Sequence, residues 1–225
     1  MDLLNESWDY IQANQDRFLE ALRVHIELSG FSLLFGMLIF LPLGVLASRT
    51  ARAGPAIVGL VSAARVVPSI AVLFLLYPYR GDIGDWAPFW PTSFTLALVA
   101  LTVLAGPPLI INADAGLRSV DTFLLENARG LGMTEWQVFV RVQGPLALPV
   151  VIAGIRTAAV EVIASATLAA FIGAGGLGRF ITSGLTLYDF SLLLVGAIPV
   201  TLLALSAEVT LASLERLVTP PAAAS

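Results

Sequence analysis

The sequence contains neither cysteine nor lysine, and only 12% of its 225 residues are charged. The absence of cysteine excludes disulfide bonds, thiolate metal sites and cysteine nucleophiles. The absence of lysine excludes a P-loop, whose lysine contacts nucleotide phosphates, and a Schiff-base lysine. If ATP drives this protein, we therefore expect ATP and Mg²⁺ on a separate ATPase chain, and no cofactor, metal or catalytic residue in this one.

Apolar residues are abundant instead. They make up 57% of the chain, which is typical of proteins that cross a membrane several times. A hydrocarbon core of about 30 Å needs about 20 apolar residues per helix. Five runs reach this length, at residues 28–47, 53–76, 92–111, 145–172 and 190–211. We predict an all-α, polytopic membrane protein with five transmembrane helices and one membrane domain over residues 28–217.

Residues 1–27 precede the first run. Asp2, Glu6 and Asp9 stand where a signal peptide would be basic, so we expect this segment to remain in the protein. Its apolar residues recur at helical intervals, which predicts an amphipathic segment on the membrane surface; a mobile polar tail is the alternative. These apolar residues are Leu4, Trp8, Ile11, Phe18, Leu22 and Ile26.

The arginines predict the orientation. With five spans, six arginines fall on one side and four on the other, and the arginine-rich side is expected in the cytoplasm. This places the loop 113–144 and the tail 218–225 in the cytoplasm, and the N-terminus and residues 1–27 on the extracytoplasmic side. The two groups are Arg49, Arg52, Arg118, Arg129, Arg141 and Arg216 against Arg17, Arg23, Arg80 and Arg179.

The longest polar interruption begins after the third run with a short predicted helix. Asp121 can cap its start by accepting from backbone N–H groups that lack an intrahelical partner. Gly130 or Gly132 can end it, because a residue without a Cβ permits the turn. The pattern indicates a helix with an apolar face that includes Phe123 and Leu124.

A second short helix follows. Thr134 and Gln137 have the spacing of a capping box, and Gly144 and Pro145 are expected to end the helix. A DNA-binding helix-turn-helix would have similar lengths. Residues 118–144 carry three arginines against three acids, however, a balance that does not favour binding to phosphates, so no nucleic-acid partner is predicted. A plain cytoplasmic connector is the other alternative.

The same loop carries a family resemblance. Residues 126–128 read E-N-A, Gly132 follows after three residues, and residues 142–145 read V-Q-G-P after nine more. This resembles the EAA loop of binding-protein-dependent ABC importer permeases, E-A-A, three residues, G, nine residues, I-x-L-P, with Asn127 in place of the usual alanine. The resemblance implies a type I, methionine-importer-like permease fold whose cytoplasmic coupling helix sits in a groove of the ATPase. The coupling residues it implies are Phe123, Leu124, Glu126, Asn127, Ala128, Arg129, Gly130, Gly132 and Met133.

Three longer stretches of the sequence resemble one particular group within this family. Residues 25–49, 111–133 and 154–178 are similar to permeases of osmoprotectant importers, which carry glycine betaine, choline, carnitine and proline betaine. This implies ABC ATPase subunits, an extracytoplasmic substrate-binding protein, and a second permease copy or paralogue as partners, in the lipid of a bacterial cytoplasmic (inner) membrane. A permease for methionine or another small solute is an alternative. An ion-coupled secondary transporter or channel subunit, which usually has two repeated halves, and a structural scaffold are alternatives from other classes.

Three charged residues fall within predicted spans. Arg65, Arg156 and Glu161 are costly there unless paired or hydrated, so they should face the bundle interior. Arg156 and Glu161 lie about 140° apart around a helix and are poorly placed to pair. We expect either that Glu161 pairs with Arg65 or that each faces a water-filled path. The residues predicted for the pathway or gate are Arg65, Pro68, Arg156, Glu161, Gly173, Gly175 and Gly176.

Residues 171–178 satisfy G-x-G-x-x-G, but an apolar helix precedes them instead of a strand, which excludes dinucleotide binding. The glycines predict a break and a short helix at residues 179–185. His25 is expected to be an interfacial or capping residue, because no second histidine or cysteine exists to share a metal.

Aromatic residues cluster before the third run, and they allow two interpretations. Trp86, Phe89 and Trp90, with Tyr77 and Tyr79 just before them, suit a cage for a quaternary ammonium group. They suit an interfacial aromatic belt equally well. In the resembled family the selective cage belongs to the separate binding protein.

Overall fold

The computed structural model describes residues 2–50 and 53–219. Arg52, placed above in a cytoplasmic connector, and residues 220–225 of the predicted tail lie outside these ranges. Within them every regular element is helical, which confirms the predicted all-α class. The α-helices are α1 Asp2–Ala13, α2 Gln15–Arg49, α3 Ala53–Ala64, α4 Ser69–Leu76, α5 Arg80–Asp85, α6 Thr92–Arg118, α7 Thr122–Gly130, α8 Glu135–Val138, α9 Gly144–Ser165, α10 Gly178–Leu187 and α11 Phe190–Val218.

In the described part of the chain, four helical stretches are long and apolar enough to cross a membrane. They are Gln15–Arg49, Thr92–Arg118, Glu135–Ile172 and Phe190–Val218, and an 18-residue stretch within each has a mean hydropathy between 1.9 and 2.2. The shortest has 27 residues and is about 40 Å long at 1.5 Å per residue, more than a hydrocarbon core needs. Each contains one of the predicted spans. The first begins earlier than expected, since α2 starts at Gln15 rather than near Leu28.

The predicted second span, residues 53–76, is not one helix. It is divided into α3 and α4, of 12 and 8 residues, by a turn over Arg65 to Pro68. Pro68 disfavours a helical conformation of the residue before it and stands as the N-cap of α4. Arg65 is therefore an exposed turn residue, and its expected position inside a continuous helix is wrong. The two helices are about 18 and 12 Å long, and neither alone would cross a bilayer.

The chain forms two compact units, which we describe separately. The first comprises Met1–Phe35, Val67–Ala105 and Ala159–Ser206, and the second comprises Gly36–Val66, Gly106–Ala158 and Ala207–Ser225.

The core of the first unit lies where α1 and the start of α2 meet α10 and α11. Tyr10 and Phe18 pack against Phe180, with ring centroids 6.0 and 6.4 Å away. The Ser7 hydroxyl donates to the backbone carbonyl of Ser191 at 2.8 Å. One face of α1 is thus fixed to the protein, while Trp8 on another face is 60% exposed. The buried core residues are Ala21, Leu177, Phe180, Leu192, Val195 and Val200.

The second unit is built around the ends of α2, α6 and α9. Leu117, Val120 and Ala147 form its buried cluster, and Val45 and Phe139 pack against them. The helices approach closely at small residues: a Cβ at Gly154 would lie 2.4 Å from the Cβ of Asn112. This packing places the base of the polar loop beside three of the long helices.

Candidate coupling site and charged groups of the helices

The polar loop folds as predicted around α7. The carboxylate of Asp121 accepts from the backbone N–H of Phe123 at 2.9 Å and caps the helix. At the other end Gly132 has φ +84°, and the N–H groups of Gly132 and Met133 donate to the carbonyls of Arg129 and Ala128. This is the Schellman arrangement, which needs a left-handed residue at the glycine position. Both predicted ends of the helix are confirmed.

The second helix begins as predicted but does not end where expected. The Gln137 N–H donates to the Thr134 hydroxyl at 3.3 Å, and the Thr134 N–H donates to the Gln137 side-chain carbonyl at 2.9 Å, which completes the capping box. Gly144 and Pro145, however, lie inside a continuing helix. In a π-helical turn over Phe139–Gln143, the Gly144 N–H donates to the carbonyl of Phe139. The helix therefore continues through Pro145, which has no N–H to donate.

An ion pair closes the elbow between the two helices. Arg129 Nε and Nη2 donate to the two carboxylate oxygens of Glu135 at 2.7 and 3.2 Å. These hydrogen bonds raise the pKa of the Arg129 guanidinium. Both side chains are exposed, so the pair is solvated, but its two-pronged geometry fixes the angle between α7 and α8. Arg129 was predicted as a coupling residue, but its pair with Glu135 was not predicted.

The loop presents a largely exposed surface that is both apolar and polar. Phe123 is 66% exposed and Leu124 is 44% exposed, although both are apolar. Ala128 differs from the other predicted coupling residues, because it is buried within the chain. Met133 is half-buried. The remaining predicted coupling residues are exposed, and they are Glu126, Asn127, Arg129, Gly130 and Gly132. Leu131 and Trp136, at 84% and 70% exposure, extend the apolar surface beyond the predicted set.

Three contacts join the base of the loop to neighbouring helices. Arg118 pairs with Asp114 at 2.8 Å and donates from Nη2 to the carbonyl of Ala47 at 2.9 Å. The Gln143 side-chain amide donates to the carbonyl of Leu117 at 3.1 Å. The guanidinium of Arg49 lies 4.8 Å from the ring centre of Phe139. The three contacts between helices were not predicted, since each joins residues far apart in the chain; the pair of Arg118 with Asp114, four residues earlier on the same helix, was not predicted either.

Among the residues predicted for the pathway, Arg156 forms ion pairs with another helix. Arg156 pairs with Glu208 at 3.2 Å and Glu215 at 3.5 Å, both on α11. These two partners were not predicted from the sequence. The two acids are seven residues apart and share a helix face, a signal that the sequence offered. The predicted pairing of Glu161 with Arg65 stays a prediction.

The glycine break is confirmed, and it ends in the predicted short helix. Gly173, Gly175 and Gly176 have φ values of +79°, +86° and +75°, and α10 follows. His25 is fully buried beside this turn, and its Nε2 is 3.1 Å from the carbonyl of Ile163. Because a carbonyl only accepts, Nε2 carries the proton. His25 lies inside α2, so the capping role expected for it is wrong.

No group of three or more histidine, aspartate or glutamate residues within residues 2–50 and 53–219 is arranged to hold a metal ion.

Comparison with known proteins identifies the family. Residues 40–220 match the profile of the binding-protein-dependent transport system inner membrane component. The chain belongs to this family. Its members are permease subunits of ABC transporters, and the four long apolar helices agree with an inner membrane component.

Several relatives of this permease cover nearly the whole chain. The carnitine transport permease protein OpuCB of Listeria monocytogenes is 41% identical over 95% of this chain and 93% of its own length. The glycine betaine/carnitine/choline transport system permease protein OpuCB of Bacillus subtilis is 36% identical, over 96% and 95%. The choline transport system permease protein OpuBB of the same species is 38% identical, over 94% and 93%.

Solved structures show the fold of the permease. A chain of the MetNI methionine ABC transporter in an inward-facing conformation matches with a TM-score of 0.80 at 24% identity, over 92% of this chain and 98% of that chain. A chain of an amino acid ABC transporter matches with a TM-score of 0.70 at 19% identity, over 92% and 96%. The predicted type I ABC importer permease fold is thereby confirmed.

Proposed function

We propose that this permease is the membrane-spanning subunit of an ATP-driven importer for quaternary ammonium osmoprotectants, and that α7 is its coupling helix. The observation that carries the coupling role is the exposed elbow of α7 and α8, in which α7 is capped at both ends and α8 at its start. Exposed Phe123 and Leu124 on a short, rigid helix suit insertion into an apolar groove of another protein. The solute class rests on relatives whose names specify carnitine, glycine betaine and choline.

The ATPase would be a separate chain, since this one has no lysine for a P-loop. ATP binding would bring two ATPase subunits together and displace α7. Arg118 and Gln143 would carry that displacement to α2 and α6 within the second unit, because both side chains bond the backbone of those helices. Rigid hydrogen-bonded contacts of this kind transmit motion between packed elements.

The assembly would contain two permease chains, identical or paralogous, and an extracytoplasmic substrate-binding protein. Alternating access would open the paired helices toward that protein when the ATPases close. α3 and α4 together would provide the fifth crossing. The orientation follows from the arginine bias, with the α7–α8 elbow in the cytoplasm and the N-terminus outside.

Copurification with candidate ATPases tests the proposal. Glu126→Arg with Gly132→Asp adds wrong charges to the elbow, and aspartate is among the residues that best tolerate a left-handed conformation. We expect this variant to lose the ATPase while the matched control Asp82→Arg, at an exposed position of α5, retains it.

Uptake by vesicles separates the alternatives. The wild-type complex should accumulate labelled glycine betaine when ATP is supplied on the ATPase side, and a protonophore should not abolish this uptake. If no ATPase binds the wild type and uptake follows an ion gradient, the importer assignment is wrong and an ion-coupled transporter replaces it. ATP-driven uptake of methionine instead of betaines would reject only the solute class.

A further inference from the structure

A cleft of about 410 Å³ opens in the first unit, away from the coupling elbow in sequence. Its three walls are the face of α2 that carries Glu20, Arg23 and Glu27, the start of α6 with Trp90, and the glycine turn after Ala170. All three walls belong to one compact unit. None of these residues takes part in the coupling contacts described above.

The glycine wall of the cleft has a fixed shape. The Ser93 hydroxyl donates to the carbonyl of Gly173 at 3.0 Å and joins this wall to α6. Gly173 and Gly175 have left-handed φ values, which side chains rarely adopt, so the turn depends on glycine. Behind the turn, the buried His25 ring hydrogen-bonds to the carbonyl of Ile163. This bond joins α2 to α9, the long helix that comes before the turn in the chain. A wall held in this way is formed before any ligand arrives.

The charges of the cleft are unequal. Arg23 lies between two carboxylates on one helix face, 3.1 Å from Glu20 and 3.7 Å from Glu27. One guanidinium therefore neutralises only one of the two carboxylates, and the α2 wall of the cleft carries a net negative charge. The three side chains are 41–63% exposed, and such solvated pairs are easily exchanged for other partners. The cleft can thus offer a carboxylate to a cation and a guanidinium to an anion.

The third wall is aromatic and rigid. Trp90 is half-buried among Phe31, Phe89 and Phe94, whose ring centres lie 5.5, 4.8 and 5.5 Å from its own. Three neighbouring rings fix the orientation of the indole. Tryptophan is the side chain that attracts a cation most strongly through its ring. Of the aromatic cluster noted in the sequence, Trp90 lines this cleft.

We propose that this cleft is a binding site for a zwitterionic quaternary ammonium solute, such as a betaine. A trimethylammonium group has no N–H to donate, so it requires an aromatic ring and nearby negative charge, which Trp90 and Glu27 supply. The carboxylate of the same solute suits Arg23, whose planar guanidinium binds carboxylates in pairs of hydrogen bonds. The site rests on the proposed function for its solute class, and it would hold the solute on this chain after release from the binding protein.

Equilibrium binding to the purified permease–ATPase complex, without the binding protein, tests the site. The complex is placed in nanodiscs of phosphatidylglycerol and phosphatidylethanolamine, so that no lipid carries a choline group. Labelled glycine betaine and labelled choline are the two probes. We expect saturable binding of both, with dissociation constants of about 1 mM or weaker. A separate sample with added phosphatidylcholine shows whether that headgroup competes.

Two variants test separately the binding of the ammonium group and the binding of the carboxylate of the solute. Trp90→Leu should weaken both probes by about fivefold, whereas the matched control Trp86→Leu, at an exposed position outside the cleft, should not. Arg23→Gln should weaken glycine betaine by about threefold or more and leave choline unchanged or tighter, since choline has no carboxylate. Choline binding by this variant also shows that the cleft is still folded. Arg179→Gln is its charge-matched control.

The results that would reject the cleft as a binding site differ from those that would reject the proposed importer function. Absence of saturable binding, equal loss of both probes in Arg23→Gln, or equal effects of the two tryptophan variants would reject the cleft. If the complete wild-type complex still takes up glycine betaine in vesicles, the proposed function survives that result. If uptake fails for every quaternary ammonium solute, the proposed function is rejected, and the binding data still decide the cleft.

Discussion

The guanidinium of Arg118 donates to the backbone carbonyl of Ala47 at 2.9 Å, and so the last residue of α6 holds the last turn of α2. Asp114, one turn earlier on α6, orients the same guanidinium at 2.8 Å. The carbonyl of Ala47 also accepts from the N–H and the hydroxyl of Thr50 at 3.2 and 3.1 Å, and a cation at the end of a helix is favourable. Gly54 passes so close that a Cβ would lie 2.5 Å from this guanidinium. The start of the coupling loop is thereby fixed to the first long helix.

Replacing Arg118 should weaken this attachment. Arg118→Gln removes the bond to Ala47 and leaves Asp114 without its cation, which should lower the free energy of unfolding by about 1 kcal/mol for a partly exposed group. Uptake should fall while the ATPase still binds, because α7 is intact. Thermal unfolding, copurification and uptake measure the three effects. The control is Arg141→Gln at an exposed position. Equal losses in both variants would show that Arg118 acts only through charge.

The two elbow glycines should respond differently to alanine. Gly132 has φ +84°, where an alanine is strained by about 1–2 kcal/mol, whereas Gly130 ends α7 without positive φ. Gly132→Ala should therefore lower the melting temperature by roughly 2–8 °C and weaken ATPase binding, and Gly130→Ala should do neither. Differential scanning fluorimetry and copurification provide the readouts. Equal behaviour of the two variants would mean that the left-handed turn is not needed.

Sequence reasoning succeeded where a few adjacent residues determine the structure. Asp121 and Thr134 cap their helices through bonds that span two or three residues, and Gly132 forms its turn through its own φ angle. The spacing of Glu126 and Gly132 likewise lies within one short segment. Such features depend on local chemistry alone, and all of them could be predicted.

Sequence reasoning failed where interacting residues are distant in the chain. It also failed at prolines, because one proline breaks a helix and another does not. Arg156 meets Glu208 and Glu215 because two helices pack, and the shared face of the two acids on α11 does not by itself identify their partner. Pro68 breaks a helix, while Pro145 lies within one because a π-helical turn redirects the backbone bonds before it. The average apolarity of residues 53–76 predicted a continuous span at Pro68. Gly144 and Pro145 were expected to end a helix that instead continues.

The capping box should control the rigidity of the elbow. Thr134→Ala removes the acceptor for the Gln137 N–H, which should cost about 1 kcal/mol, whereas Thr134→Ser keeps a hydroxyl in place. Amide exchange at the start of α8 should accelerate about fivefold in the alanine variant and stay near wild type in the serine variant. Hydrogen–deuterium exchange with mass spectrometry measures both. Acceleration in the serine variant as well would indicate that the threonine methyl, not the hydrogen bond, stabilises the elbow.

The ion triad of Arg156 should behave as one unit. Arg156→Gln leaves the carboxylates of Glu208 and Glu215 on one face of α11 without a cation, and charge without a partner within a span is costly. Because the three side chains are partly exposed, we expect a loss of roughly 1–2 kcal/mol in the free energy of unfolding. Adding Glu208→Gln and Glu215→Gln to Arg156→Gln should recover most of it, since no charge then remains unpaired. Denaturation of the single, double and triple variants in detergent measures the coupling energy, with Arg179→Gln as a control for loss of an exposed arginine. Strictly additive losses would mean that the three residues do not interact, whereas recovery in the triple variant would show that Arg156 is needed to neutralise the acids that α11 carries.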